Sequence, residues 1–436
     1  NKEFLEIIVF VLFSSIIINR SEDVPKPRHI SLGSGIHLAL KSSKEVELAE
    51  TKLKIAQSKE GEAIGNYLPS ITASWQVGKQ KNKVEGVAEE DPTNQNTQKL
   101  SVEQTVFNGF QSAYKSQSSK YAVLAAKSDL NQTKANIAFS AVEVYLNLYT
   151  ERRKLLLQKE NVKISKEILK KVSERMLLKV ISKNEAAQYE ANTLRSHSDL
   201  LDARKATYKA EAMYVALIGE QQDHLSEPKW PTALFNIQEE HKKAGAKNQG
   251  LQKLYFLQKS ARADLAGTKG ALLPKAKLVG SYKKQKEVLY LGNKDVDTTL
   301  YYVDVSLPIF EKGQRFVQIG KANNQFELTK KEYEFAKESI LKDLKSTIQT
   351  YHANRELVGA YWELQKMASR KLRRLKYQLR LGATDKLAVL TTKQEVNSIN
   401  ARVLTLRKEL FLDYYKVLLL NGSSDWYKKK NEQGKG

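Results

Sequence analysis

Residues 110–218 read FQSAYKSQSSKYAVLAAKSDLNQTKANIAFSAVEVYLNLYTERRKLLLQKENVKISKEILKKVSERMLLKVISKNEAAQYEANTLRSHSDLLDARKATYKAEAMYVALI, without one glycine or proline. Gly109 precedes the run and Gly219 follows it. Ala, Leu, Lys, Glu and Gln dominate it, all strong helix formers. As one helix it would be about 160 Å long at 1.5 Å per residue, more than a globular domain can bury. The run must be a very long coiled coil or fold back once on itself.

The flanking sequence changes period. Residues 44–66 carry Val46, Ala49, Leu53 and Ala56 at helical spacing, and Leu68-Pro69 stops that helix. Ile71, Ala73, Trp75 and Val77 then alternate with Thr72, Ser74, Gln76 and Gly78, the pattern of a half-buried strand. Residues 79–98 are polar, with Gly86 and Pro92, and read as a loop. Leu100, Val102, Gln104 and Val106 alternate again, and Phe107-Asn108-Gly109 closes this second strand.

Downstream the plan repeats. After a break with Pro228 and Pro231, residues 237–247 and 251–271 read as helices, and Leu273-Pro274 stops the second. Ala276, Leu278, Gly280 and Tyr282 alternate, residues 287–298 read as a loop, and Tyr301, Val303, Val305 and Leu307 alternate. Pro308-Ile309-Phe310 and Gly313 end the strand, and a second long helical run covers 314–420. Pro69 and Pro274 lie about 205 residues apart, and Phe107 and Phe310 about 203. So large a period marks a duplicated half-molecule rather than a solenoid.

The same spacing locates a turn in each long run. In the second, Gly382 supplies a helix stop, and Thr384 or Asp385 caps the next helix. In the first, the segment from Arg175 to Glu185 aligns, with Lys179 in the glycine position and Ser182 and Asn184 as caps. Both runs therefore read as unequal hairpins, with arms of about 65 and about 35 residues; the long arm spans on the order of 100 Å. The expected class is mostly α with a β membrane part: two helical hairpins and four strands per chain. The expected boundaries are a first repeat over 21–219 (strands about 70–82 and 98–108), a linker over 220–236, and a second repeat over 237–421 (strands about 275–286 and 299–309). A basic tail, 422–436, follows.

The remaining composition excludes more than it assigns. The 436 residues carry a formal charge of +23 and no cysteine. Disulfides, thiol nucleophiles and Cys-bearing zinc sites are excluded. The basic residues are spread along the helical runs rather than interleaved with aromatics, which argues against nucleic acid. The six histidines form no helical metal pair, and no phosphate loop or nucleophile elbow occurs, so neither an enzyme nor a cofactor is expected. Residues 4–18 are nearly all apolar, short for a spanning helix but the length of a signal-peptide core; residues 1–20 are read as a signal peptide.

Strands of about ten alternating residues with aromatics near their ends can cross a bilayer when tilted. Four strands cannot close a barrel and open edges are not tolerated in lipid, so several chains would have to share one. The other reading is a soluble or periplasmic coiled-coil scaffold or adaptor with a basic surface; such a scaffold needs no twofold repeat of strand pairs between its helices.

The order of Leu68-Pro-Ser-Ile-Thr-Ala-Ser-Trp75, Leu100-Ser-Val-Glu-Gln-Thr-Val-Phe-Asn-Gly109, Leu273-Pro-Lys-Ala-Lys-Leu278 and Val303-Asp-Val-Ser-Leu-Pro-Ile-Phe310, with Gly382 and Val389-Leu390 beyond, resembles the TolC family of outer-membrane efflux proteins. The resemblance implies a homotrimer with a shared 12-stranded β-barrel in outer-membrane lipid and a long periplasmic helical barrel. It implies a passive exit duct of a tripartite efflux or type I secretion system, docked by a periplasmic adaptor and an inner-membrane transporter. It places Arg175, Lys179, Ser182, Asn184, Glu185, Gly382, Thr384 and Asp385 at the periplasmic tip. It places Pro69, Phe107, Gly109, Pro274, Pro308 and Phe310 at the junctions between strands and helices. Where family members carry a ring of tip carboxylates, this chain has Ala388 and Thr391; only Glu185 of the first copy matches an acidic position.

Overall fold

The computed structural model describes residues 30–80, 93–219, 224–229, 231, 233–288 and 294–428. The apolar segment 1–20 lies outside them, as do the last residues of the basic tail. Two helices of 67 residues each, α3 (Gln111–Leu177) and α7 (Gln314–Arg380), set the dimensions of the fold. At 1.5 Å per residue each is about 100 Å long. Each turns back into a shorter partner, α4 (Lys183–Ile218, 36 residues) or α8 (Lys386–Leu420, 35 residues).

The unequal arms are completed by the segments that precede each strand pair. Short α1 (Leu32–Ser42) leads into α2 (Lys44–Gly65), which lies along the part of α3 that α4 does not reach. Likewise α5 (Ile237–Lys247) leads into α6 (Gln249–Gly270), which packs on both α3 and α7. Side-chain caps fix these starts: Ser31, Ser43, Asn236 and Asn248 each accept a backbone N–H from the first turn. Asn248 also donates its amide to the carbonyl of Leu420 at 2.8 Å, joining the start of α6 to the end of α8. A final short helix, α9 (Asp425–Lys428), packs Trp426 against Tyr415, with ring centroids 5.3 Å apart.

The largest core among the described residues sits at mid-length, where five helices meet, Val46 and Ala49 of α2 among its residues. It joins Ile36 and Ala39 of α1, Val142 and Tyr145 of α3, Tyr214 and Ile218 of α4, and Phe411 of α8. Tyr145 is fully buried; its hydroxyl lies 2.9 Å from the Ile30 carbonyl and 2.7 Å from that of Ser226. Ile30 in turn pairs in parallel with Leu225. The second half repeats the device: buried Tyr351 donates to the carbonyl of Ala233 at 2.9 Å. In both halves a tyrosine ties the segment crossing between arms to the long helix, so that its carbonyl is not buried unpaired.

At the other end of the long helices, β1 (Ser70–Gln80), β2 (Thr93–Phe107), β3 (Lys275–Val288) and β4 (Lys294–Ser306) form one antiparallel sheet in chain order. The strands run further than the expected loops at 79–98 and 287–298 allow. β2 begins at Thr93, and Gln76, Val77 and Gly78 pair with Thr97, Asn96 and Gln95. On the β2 side these outer residues, Thr93 to Thr97, are all polar, so no apolar alternation marked them. Among the described residues the outer edges of β1 and β4 have no partner.

Candidate functional site: the sheet faces, the junctions and the hairpin tips

The sheet has one apolar and one polar face, and the apolar one is exposed. Ile71, Val102, Gly280 and Tyr301 stand in one cross-strand row, and Ala73, Leu100, Tyr282 and Thr299 in the next. Ile71 is 69% exposed and Tyr301 80%, values found where a sheet face has no covering layer. The band ends in two amphipathic aromatics. The Trp75 indole N–H donates to Asn96 Oδ1 at 2.8 Å, and the Tyr282 hydroxyl to Asp297 at 3.0 Å. Each has an apolar body on the band and a polar atom bonded toward the polar outer rows, as interfacial aromatics require. The opposite face carries Thr72, Ser101 and Ser281 in one row and Ser74, Lys99 and Lys283 in another.

The strand-to-helix junctions repeat in backbone detail. Gly109 and Phe110 have φ of +67° and +61°; Lys312 and Gly313 have +51° and +72°. Each pair turns the chain with a bond from the fourth residue back to the first, Gln111 to Asn108 at 3.4 Å and Gln314 to Glu311 at 3.0 Å. The side chain at the turn's first position then holds the new helix: Asn108 bonds Ser112 (2.7 Å) and Glu311 bonds Arg315 (2.8 Å). Arg315 reaches on to the carbonyl of Ala271. Phe107 packs edge-on against Phe110, while Phe310 stays 78% exposed beside Ile309. Pro69 and Pro274 directly precede β1 and β3, and Pro308 follows β4, all positions where a missing N–H interrupts no ladder.

Nothing in the local pattern of residues marks Gly270. It meets Gly109 so closely that a Cβ on either would lie 2.0 Å from the other's carbonyl oxygen. Helical glycines are common, and only the fold brings these two together.

At the far end, the two hairpin turns share one geometry. Lys179 has φ +56° where Gly382 has +69°. Val180 donates to Arg175 O at 3.0 Å and Ala383 to Gln378 O at 2.9 Å, the long closing bond of a Schellman turn. A lysine in this conformation costs about 1–2 kcal/mol relative to glycine, part of which glycine returns as unfolded-chain entropy. Lys179→Gly is therefore expected to raise stability by about 1 kcal/mol or less, read as a small upward shift in thermal midpoint. A fall instead would show that the Lys179 side chain itself supports the turn.

Ser182 caps α4 by accepting from Glu185 N at 3.2 Å. Asp385 holds the same position before α8, but its carboxylate makes no cap bond and pairs with Arg175 across the two hairpins. The structure thus brings Arg175 and Asp385 together. Asn184 and Glu185 lie inside the first turn of α4, so Ser182 alone caps that helix and Asn184 does not; Thr384 stands in the second turn just before the Asp385 cap position, and none of the three joins that contact.

Further contacts run along α3 and α8. Lys386 pairs with Glu167 at 2.5 Å and Lys393 with Glu160 at 2.6 Å. Buried Asn397 donates to Glu160 (3.1 Å) and to Asn161 (2.9 Å). Lys393's ammonium, hydrogen-bonded to it, holds the Glu160 carboxyl below the ordinary carboxylate range, against the opposing effect of burial. A small core of Ile164, Ile168, Val172 and Leu390 lies between these contacts.

The tip has more cations than these pairs use. Lys159, Lys163, Lys166 and Lys170 recur along one exposed stripe of α3, and Arg370, Arg373, Arg374 and Arg380 are exposed on α7. Glu160, Glu167, Glu174 and Asp385 are all engaged in ion pairs. Among the described residues no group of three or more His, Asp or Glu is arranged to hold a metal ion. No described helix is long and apolar enough to cross a membrane, a finding that says nothing of the sheet.

A family model described as outer membrane efflux protein matches residues 35–226 and 241–413. The chain is 21% identical over 385 residues to the outer membrane efflux protein BepC of Brucella suis biovar 1 (strain 1330), covering 88% of this chain and 83% of that protein. Among solved structures, the CmeC outer membrane channel of Campylobacter jejuni superposes with a TM-score of 0.77 at 15% identity, covering 90% of this chain and 85% of that one. The outer membrane protein VceC of Vibrio cholerae superposes with a TM-score of 0.75 at 14% identity, covering 90% and 96%. With the model matching both halves of the duplication, helical arms and strand pairs alike, the chain belongs to the outer membrane efflux protein family.

Proposed function

We propose that three copies of this chain assemble into one exit duct, with a 12-stranded barrel in the outer membrane and a helical barrel in the periplasm. The observation that carries the reading is the sheet, which among the described residues has four strands, an exposed apolar face and two unpaired edges. In lipid the edges must find partners, and pairing β1 of one copy with β4 of the next satisfies both at once. The apolar face then meets lipid and the polar face lines the lumen. The duct is a conduit rather than a catalyst; energy would come from an inner-membrane transporter coupled through a periplasmic adaptor. The exposed cationic stripes beside the tip turns are the surface on which such an adaptor would dock.

The assembly is tested by mass in detergent, expected at three chains, and by arginine on opposite sides of one strand. Ile71→Arg puts a charge into the lipid-facing band, at about 2–4 kcal/mol per chain, and is expected to empty the membrane fraction. Thr72→Arg faces the lumen and is expected to insert normally. Equal behaviour of the two variants, or a monomer in detergent, would refute the barrel.

A further inference from the structure

On the polar face of the sheet, lysines occur in two settings. Lys277 stands opposite Asp304 of β4, and its ammonium lies 3.8 Å from the Glu103 carboxylate of β2. Positive charge there has negative neighbours. Further out along β2, Lys99 stands directly opposite Lys283. Their flanking partners in that row are Ser74 and Thr298. The next rows on the same face hold Thr72, Ser101, Ser281 and Leu300 on one side, and Gln76, Thr97, Gln285 and Val296 on the other. None of these is a carboxylate.

Residues directly opposite on neighbouring strands have Cβ atoms about 5 Å apart, and like charges so placed destabilise the pair. Glu103 lies four residues from Lys99, about 13 Å at 3.3 Å per residue, beyond the screening length of about 8 Å at physiological ionic strength. Lys99 is exposed and Lys283 half-buried, and no ion pair is formed by either among the described residues. The register thus sets two lysines opposite each other on a solvent-accessible face, and neither has a fixed counter-charge among the described residues.

We propose that the Lys99–Lys283 row is an anion-binding ring in the lumen, taking oxyanions such as carboxylates, phosphates or sulfonates from passing solutes. This rests on the trimeric reading, in which three copies bring six ammonium groups to one level of the barrel. A bound anion offsets the repulsion that the row otherwise imposes. Lysine suits a transit site: a compact, hydrated point charge holds an anion without the bidentate clamp of arginine. Conduction needs a site favourable to enter and weak enough to leave.

The test is reversal potential in planar bilayers under a tenfold KCl gradient. The unaltered protein is expected to favour chloride over potassium by about twofold or more. Lys99→Gln with Lys283→Gln is expected to bring the ratio toward unity, and the double glutamate variant to invert it. Both side chains lie on the solvated face, and Lys99→Glu alone would place opposite charges in register, so its thermal midpoint is expected to hold or rise. A cation-selective unaltered protein overturns the ring. So does a chloride preference that survives in both double variants, which would assign selectivity to the cationic tip. A trimer that conducts with unchanged selectivity overturns the ring alone; a protein that conducts in no form overturns the duct, and the ring with it.

Discussion

Alanine at Gly270 is expected to abolish the folded form, although the residue ends an ordinary helix. On helix propensity alone the change would stabilise by about 1 kcal/mol. The added Cβ would lie 2.0 Å from the carbonyl oxygen of Gly109 and 3.1 Å from its carbon. Both obstacles are backbone, so no rotamer relieves them. The reciprocal change at Gly109 meets Gly270 O at 2.0 Å and the Leu273 Cβ at 3.0 Å, and adds the cost of φ +67°. Either variant must pry apart the start of α3 and the end of α6, the joint from which β3 departs. About 3 kcal/mol or more per chain is expected, tripled in a trimer. Gly313 is the control. It shares the left-handed backbone, φ +72°, but a Cβ there meets nothing within 4 Å. Gly313→Ala should cost only the conformational term, about 1 kcal/mol. Thermal unfolding followed by circular dichroism in detergent, with yield in the membrane fraction, reads all three. A Gly270→Ala protein with an unaltered midpoint would show that the joint relaxes without loss.

Why Gly270 was invisible while the hairpins were legible follows from the range of each cause. Helix arms are written in local composition: a run without glycine or proline between Gly109 and Gly219 needs no tertiary partner to be read. The turn at Gly382 is also local, since one residue must adopt positive φ. At Lys179 the same conformation is imposed by the hairpin on a residue that does not favour it, so the residue type misleads while the spacing of about 203 does not. The strands were legible only where lipid would demand alternation; from 93 to 97 both faces are polar, and pairing there depends on the neighbouring strand. The Gly109–Gly270 approach, the Lys99–Lys283 register and the Arg175–Asp385 pair join residues far apart in the chain. No periodicity carries them. Asp385 shows the limit most directly: its sequence position predicts a helix cap, and the fold spends its carboxylate elsewhere.

Arg175→Ala is expected to leave overall stability nearly unchanged and to shift the resting tip toward opening. The Arg175–Asp385 pair is about two-fifths exposed, at 36% and 43%, and exposed pairs contribute about 0.2–1 kcal/mol. Removing it also frees Asp385 to cap α8, a gain of about 1 kcal/mol that offsets the loss within each chain. The offset acts only on folding. Between hairpins nothing replaces the link, and a trimer has three. At about 0.5 kcal/mol each they sum to about 1.5 kcal/mol, roughly tenfold in a closed-to-open ratio. Single-channel conductance records should show the open level about ten times more often relative to the closed one, with an unshifted thermal midpoint. Asp385→Asn tests the division of labour, because it keeps a cap acceptor and loses the charge; it should open the tip as Arg175→Ala does. Acid adds an independent handle through Glu160. Its folded carboxyl is held below the ordinary range by Lys393, so its contribution is present above about pH 4.5 and lost as pH falls through the lower folded value. Opening by acid should therefore begin only below the usual carboxylate range, and Glu160→Gln should remove that part of the response. An Arg175→Ala channel that opens no more often than the unaltered one would mean that the hairpins are held by the Ile164–Leu390 core and the Lys386–Glu167 and Lys393–Glu160 pairs alone.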